Sequence, residues 1–121
     1  MPDKRILLVE DDPQIRALLA LVLRREGYET DEAETVGGAM SLLDSRHYDL
    51  ALVDWRVPDG DGLLVADTAA QLGAQTVVMS GYLPEMRGGR AYGHHSMMKP
   101  VLPAEVIALV RSAIGESGKR A

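Results

Sequence analysis

The chain is expected to fold as an α/β domain, a doubly wound sheet of five parallel strands with helices on both faces. Three observations predict this. Short continuous apolar runs recur at Ile6–Val9, Leu50–Val53 and Thr76–Met79, and they read as strands buried on both faces. Between them lie segments whose apolar residues repeat every three or four positions, the spacing of one helical face. The runs end in polar or charged residues followed by short, turn-rich connections. Strands joined through helices pair in parallel with right-handed crossovers, which distributes the helices over both faces.

The elements follow in order. Ile6-Leu7-Leu8-Val9 is the first strand and ends in Glu10-Asp11-Asp12. Pro13 suits the first turn of a helix, where its missing N–H costs nothing. Ile15, Leu18, Leu19, Val22 and Leu23 then mark one helical face, and Gly27 fits the stop. Tyr28–Ala33 alternates weakly and reads as a second, more exposed strand. A second helix is expected from about Thr35 to Arg46, weakened by Gly37-Gly38. Leu50–Val53 is the third strand and ends in Asp54, and the loop from Val57 to Gly62 is rich in turn residues. A third helix is expected over Leu63–Leu72, closed by Gly73. Thr76–Met79 is the fourth strand and ends in Ser80-Gly81. Residues 82–93 carry three glycines and a proline, so a fourth helix there is expected to be short, irregular or mobile. Ser96–Met98 is the fifth strand and ends in Lys99-Pro100. Pro103 opens the last helix, with Val106, Ile107, Val110 and Ile114 facing inward. The core is expected over about 5–115 of a single domain 1–121, with 116–121 a frayed tail.

Composition bounds the function. The 121 residues suit one domain, and 46% are apolar, enough for a core. Lys plus Arg number 13 against 18 Asp plus Glu, a net charge of −5 that argues against nucleic-acid binding by bulk charge. The absence of cysteine excludes disulfides, thiol catalysis and cysteine metal sites. No apolar stretch nears the ~20 residues of a membrane span, and Ile6–Val9 is too short for a signal peptide. A soluble cytoplasmic domain is the expectation.

The informative feature is where the polar residues fall. In an open parallel sheet, ligands bind beyond the carboxyl ends of the strands. Four strands end in Asp11-Asp12, Asp54, Ser80 and Lys99 on one sheet edge. Clustered acids repel, and a hard divalent cation such as Mg²⁺, which takes carboxylate oxygens and keeps waters, relieves the repulsion. The lysine adds a positive charge and the serine a donor to a phosphoryl oxygen. A carboxylate is a competent nucleophile toward phosphorus. The set reads as a phosphoryl-acceptor or phosphoryl-transfer site.

Leu8-Val9-Glu10-Asp11-Asp12, Leu52-Val53-Asp54-Trp55, Pro58 with Asp61-Gly62, Met79-Ser80-Gly81 and Met98-Lys99-Pro100 stand in sequence at successive strand ends and loops. In these motifs the chain resembles the receiver domain of two-component response regulators, over nearly its whole length. The resemblance implies a flavodoxin-like fold with strand order 2-1-3-4-5. It makes Asp54 the phosphorylated residue, Asp11 and Asp12 the Mg²⁺ acids, and the Arg56 backbone carbonyl a further ligand. Ser80 is then the hydroxyl that follows the phosphoryl group, Lys99 its ion-pairing partner, and Lys99-Pro100 a cis peptide. It also implies a sensor histidine kinase or phosphotransfer protein as phosphoryl source, on a phosphohistidine. Output then passes by contact with an unidentified protein or by acting as a phosphate sink, with no direct DNA or membrane binding. A homodimer through the face of the fourth helix, fifth strand and last helix is a further implication.

Receivers commonly carry an aromatic residue three positions before the lysine, and here that position is Ser96. His94, of the same strand parity, or Tyr82 or Tyr92 can stand in for it. Arg56, two after the acceptor, either overhangs the phosphoryl group or is solvated. Blander readings stand beside these. Asp12 can cap the first helix while also serving a metal. The Asp59–Gly62 run fails the calcium-loop spacing, because Leu63 and Leu64 fall where an acid and a glycine belong. His94 and His95 point to opposite strand faces and do not share an ion. Leu102 and Leu109 mark a partner surface or are singly exposed leucines. The functional alternatives are a phosphorylation-independent interaction module, a receiver excised from a hybrid kinase or larger regulator, and a small carboxylate-nucleophile phosphatase.

Overall fold

The computed structural model describes residues 3–81, 90–91 and 93–117. Its strands are β1 (Arg5–Val9), β2 (Glu29–Ala33), β3 (Leu50–Asp54), β4 (Arg56–Val57), β5 (Gly60–Asp61), β6 (Gln75–Ser80), β7 (Arg90–Ala91) and β8 (His94–Met98). Its helices are α1 (Pro13–Arg25), α2 (Val36–Ser45), α3 (Gly62–Gln71) and α4 (Pro103–Ile114). The main sheet has the order β2-β1-β3-β6-β8-β7. Its first five strands are parallel, which is the expected 2-1-3-4-5 order, and the domain has the flavodoxin-like architecture.

Strand alternation splits the core in two. Ile6, Leu8, Leu50, Leu52, Val77 and Met79 pack with Leu19 and Leu23 of α1 and Val106 and Val110 of α4. Leu7, Val9, Ala51 and Val53 face the other way, onto Ala39 and Leu43 of α2 and Val65 and Ala69 of α3. Side chains alternate faces with a period of two, so a strand with helices on both sides must be apolar at every position. β3, buried throughout, meets that demand from Leu50 to Val53 and breaks it only at Asp54, its last residue. Each fully buried leucine, isoleucine or valine contributes roughly 1.5–3 kcal/mol.

The helix starts are well capped. The Asp12 carboxylate accepts from the Gln14 and Ile15 N–H groups, Thr35 Oγ1 from Gly38, and Asp61 from Leu63. α4 has no side-chain cap and starts on Pro103 instead.

Three expectations need correction. The end of the segment read as a helix, Arg90–Ala91, is an edge strand antiparallel to β8, and Gly93 at φ +92° stands where the chain reverses. Residues 82–89, and Tyr82 and Tyr92 with them, lie outside the described residues. β8 starts at His94 rather than Ser96. The tail read as frayed from 116 is held through 117: Ser117 is buried, its Oγ is 3.4 Å from the Lys4 N–H, and Arg111 bridges Glu26 and Glu116. Tyr28 donates to the Gly115 carbonyl at 2.6 Å. Leu102 is exposed, whereas Leu109 packs against the core.

The strand order also creates a switch point. From β1 the chain turns to β2 on one side, then crosses back to β3 on the other. The crossovers leave the two carboxyl ends diverging, and a crevice opens between them.

Candidate functional site

The crevice between β1 and β3 holds the acids. Glu10 follows the last residue of β1, and its N–H donates to the Ala33 carbonyl at 3.0 Å. Asp54 ends β3, pairs in register with Met79 of β6, and is 5% exposed. Oxygens of Glu10, Asp11 and Asp54 all come within 4.8 Å of one another. Glu10 is fully buried, Asp11 exposed.

Lys99 reaches into this group from the end of β8. Its Nζ donates to Asp54 Oδ2 at 2.9 Å and forms an ion pair with Glu10 Oε1 at 3.0 Å. Glu10 Oε1 makes no aligned hydrogen bond, although it is shut off from solvent. Burial pushes the Glu10 carboxyl up to about 7, and the Asp54 charge adds to the push against the Asp12 N–H and Lys99. Burial alone would lower Lys99. The hydrogen bonds and charges of Asp54 and Glu10 outweigh it, so the ammonium form is favoured. Lys99-Pro100 is cis, as expected, and the Lys99 N–H donates to the Ser80 carbonyl at 2.8 Å. Ser80 is buried at the end of β6, opposite Met98.

Two backbone features shape the loop that follows Asp54. The Gly62 N–H donates to the Trp55 carbonyl at 2.6 Å. A Cβ at Gly62 would lie 2.0 Å from the Asp54 carbonyl oxygen, so only glycine fits. On the other side, Arg16 of α1 donates to the Glu10 carbonyl at 2.9 Å and pairs with Glu32 and Glu34. That holds the β1–α1 turn to the end of β2.

The sequence-derived site is thus largely assembled, with one shift of register. Asp11, Asp54 and Lys99 come together, and Ser80 ends the neighbouring strand. Asp12, read as a metal acid, lies outside the three-acid group, because its carboxylate is committed to the N-terminus of α1 at 2.9 and 3.1 Å. Glu10, which the sequence reading leaves out, stands in the group instead. The available signal is its place directly after the apolar run Ile6–Val9, where the chain still runs inside the protein. Asp12→Ala is therefore expected to cost about 1 kcal/mol of stability through the lost cap, read from the urea midpoint, and to change Mg²⁺ affinity little. Arg56 is exposed in β4. Ser96 carries a buried Oγ without a hydrogen-bond partner among the described residues. His94 is buried and fixed, with Nδ1 2.5 Å from Thr76 Oγ1 and Nε2 2.7 Å from Asp67 Oδ1 of α3.

Fold and site together define a class, an open doubly wound α/β domain with a carboxylate pocket at its switch point. Within that class the chain matches the response regulator receiver domain over residues 6–111, and it belongs to that family of two-component signalling domains. It is 32% identical over 116 residues to the transcriptional regulatory protein ResD of Bacillus subtilis, covering 93% of this chain and 48% of that protein. It is 30% identical to the phosphate regulon regulatory protein PhoB of Klebsiella pneumoniae, covering 92% and 52%. The chain therefore spans about half the length of these relatives. Among solved structures, the response regulator protein TrrA from Thermotoga maritima, in complex with Mg²⁺–BeF, superposes with a TM-score of 0.78 at 32% identity. The match covers 91% of this chain and 98% of that one. A CheY-like receiver domain from Methanospirillum hungatei gives 0.79 at 28% identity, covering 92% and 93%.

Proposed function

We propose that Asp54 is the phosphoryl acceptor, loaded from a phosphohistidine on a sensor kinase or phosphotransfer protein. The observation that carries this is a buried carboxylate held 2.9 Å from a lysine ammonium inside a three-acid pocket. Asp54 is kept dry on a central strand and aimed by Lys99. A carboxylate oxygen attacks phosphorus, the P–N bond to the donor imidazole breaks, and an acyl phosphate forms. Lys99 stays beside the transferred group, and the Ser80 hydroxyl donates to one of its oxygens. Attack by water on phosphorus later returns the carboxylate and inorganic phosphate, so the signal decays.

The residues present fit a divalent cation. The donors are hard oxygens, two of the three acids are buried, and a single ammonium, Lys99, is shared between Glu10 and Asp54. Glu10, Asp11, Asp54 and the Arg56 carbonyl would hold Mg²⁺, which supplies positive charge for the phosphoryl oxygens. The TrrA complex with Mg²⁺–BeF supports this choice of metal. The donor approaches past an apolar groove formed by Ile15, Leu18, Leu19, Pro100 and Val101, with Lys99 at its wall. Ile15 and Leu18 are 36% and 48% exposed there. Output through an unidentified protein, a homodimer on the α4–β8 side, and a cytoplasmic location complete the reading. No helix among the described residues is long and apolar enough to cross a membrane.

Incubation with a small acyl phosphate donor and Mg²⁺ should add one phosphoryl group, seen by intact mass. Asp54→Asn should abolish the addition. Equal labelling of the Asn variant would refute the acceptor assignment. An unlabelled parent would favour the phosphorylation-independent module, and steady release of phosphate from generic esters the phosphatase.

A further inference from the structure

We infer that Asp59 is a positioning residue for metal-dependent phosphoryl acceptance: its carboxylate clamps the loop that follows Asp54 onto the N-terminus of α2. The inference rests on the function proposed above and extends it to a residue outside the pocket.

The loop runs from Trp55 through β4, the Pro58-Asp59 turn and β5 to Gly62. Its two ends are fixed. The Trp55 N–H donates to the Met79 carbonyl at 2.8 Å, and Gly62 is pressed against the Asp54 carbonyl. Asp61 is occupied in capping α3 at 2.8 Å. Between these ends lies a hairpin of two residues per strand, Arg56–Val57 against Gly60–Asp61. A pairing this small does not hold its own geometry. Val57 is buried among the α2 and α3 side chains, which sets the depth of the hairpin, but apolar burial is non-directional.

Direction comes from the tip. Asp59 Oδ1 accepts from the Val36 N–H at 2.7 Å and Oδ2 from the Gly37 N–H at 3.0 Å, across 23 and 22 residues of chain. Both are charge-assisted bonds to the positive end of a helix. Thr35 Oγ1 takes the next amide, Gly38, at 3.0 Å. Val36, Gly37 and Gly38 are thus all engaged, and two of the three are engaged by the loop. Gly37 leaves room for this, since even a Cβ there would stay 3.6 Å from Asp59 Oδ2.

Arg56, whose carbonyl is read as a metal ligand, lies three residues from this clamp. Mg²⁺ demands near-ideal octahedral ligand placement. A hairpin free to pivot would spread that carbonyl over many positions. Groups that orient ligands without touching the metal commonly tune its affinity by about 10–100-fold.

The test compares the parent, Asp59→Ala and Asp59→Asn. Mg²⁺ titration is followed by fluorescence of Trp55, the sole tryptophan. Phosphoryl incorporation from a small acyl phosphate is measured across Mg²⁺ concentrations. In the Ala variant the half-saturating Mg²⁺ should rise about tenfold, with the rate at saturating Mg²⁺ nearly unchanged. Amides of Val36 and Gly37 should exchange faster. The Asn variant, which keeps one neutral acceptor, should fall between the two, and it decides alone if the Ala variant does not fold. A cap that served only α2 would lower the melting temperature and speed exchange without moving the half-saturating Mg²⁺, and that result overturns the inference. A parent that takes no phosphoryl group refutes the acceptor reading instead, while the Mg²⁺ titration still decides whether the clamp exists.

Discussion

Gly62→Ala is expected to destabilise the domain by roughly 3 kcal/mol or more, which is a large share of a typical 5–15 kcal/mol. The added Cβ would sit 2.0 Å from the Asp54 carbonyl oxygen and 3.0 Å from both the Asp54 carbonyl carbon and the Trp55 oxygen. All three are backbone atoms at the end of the strand that carries Asp54, so no side chain can swing away. Relief requires α3 to retreat from β3 or the Gly62 N–H to leave the Trp55 carbonyl. Either movement displaces Asp54. The urea midpoint should fall sharply, and any folded fraction should accept phosphate slowly. Gly81→Ala is the control, since among the described residues its Cβ would meet only Lys99 Cβ, at an ordinary 3.9 Å. Equal midpoints for the two variants would contradict the close approach.

Glu10→Gln is expected to stabilise the metal-free protein at pH 8 by up to roughly 3 kcal/mol, and not at all near pH 4. The sign follows from the direction of the shift. The Glu10 carboxyl titrates at about 7 in the folded protein against an ordinary 4.5. Below the lower value it is protonated both folded and unfolded, and it contributes nothing. Between the two, only the unfolded chain gives up its proton, so folding loses about 1.4 kcal/mol for each pH unit. Above the higher value the penalty is constant, and the amide removes it. Mg²⁺ should narrow or reverse the difference, because a ligand that binds only the folded parent adds stability by mass action. Melting in EDTA at several pH values, then with Mg²⁺, checks both halves. A gain that does not vary with pH would exclude titration of Glu10 as the cause.

The pocket is thus poised between repulsion and neutralisation, and Lys99 alone does not settle it. One ammonium faces two nearby carboxylates, Asp54 and Glu10. The remaining imbalance is of the kind that a bound cation would relieve.

Much of this was legible from residue order. Apolar runs buried on both faces marked the central strands, and helical spacing marked α1 and α4. Acids and a lysine at successive strand ends marked the edge where chemistry gathers. These features are local: period, composition and turn residues act within a few positions, and the parallel crossover rule then orders the strands. That rule brings the strand ends that carry Asp11-Asp12, Asp54, Ser80 and Lys99 to one edge of the sheet.

What tertiary structure decided is which neighbour each polar side chain meets. Asp12 and Glu10 differ by two positions and by nothing in chemistry that a sequence displays. One turns out to cap α1 because the chain has left the sheet, and the other stays buried because it has not. The edge strand β7 rests on a pairing with β8, which no local pattern of residues 90–91 announces. Asp59 with α2 and Asp67 with His94 join residues 22–27 positions apart. Such bonds depend on how helices settle on the sheet, and helix placement is set by summed packing of both cores. Local periodicity determines that elements exist and which face they bury. Only the packed whole determines which charged groups end within 3 Å of one another, and the chemistry of this pocket depends on that distance.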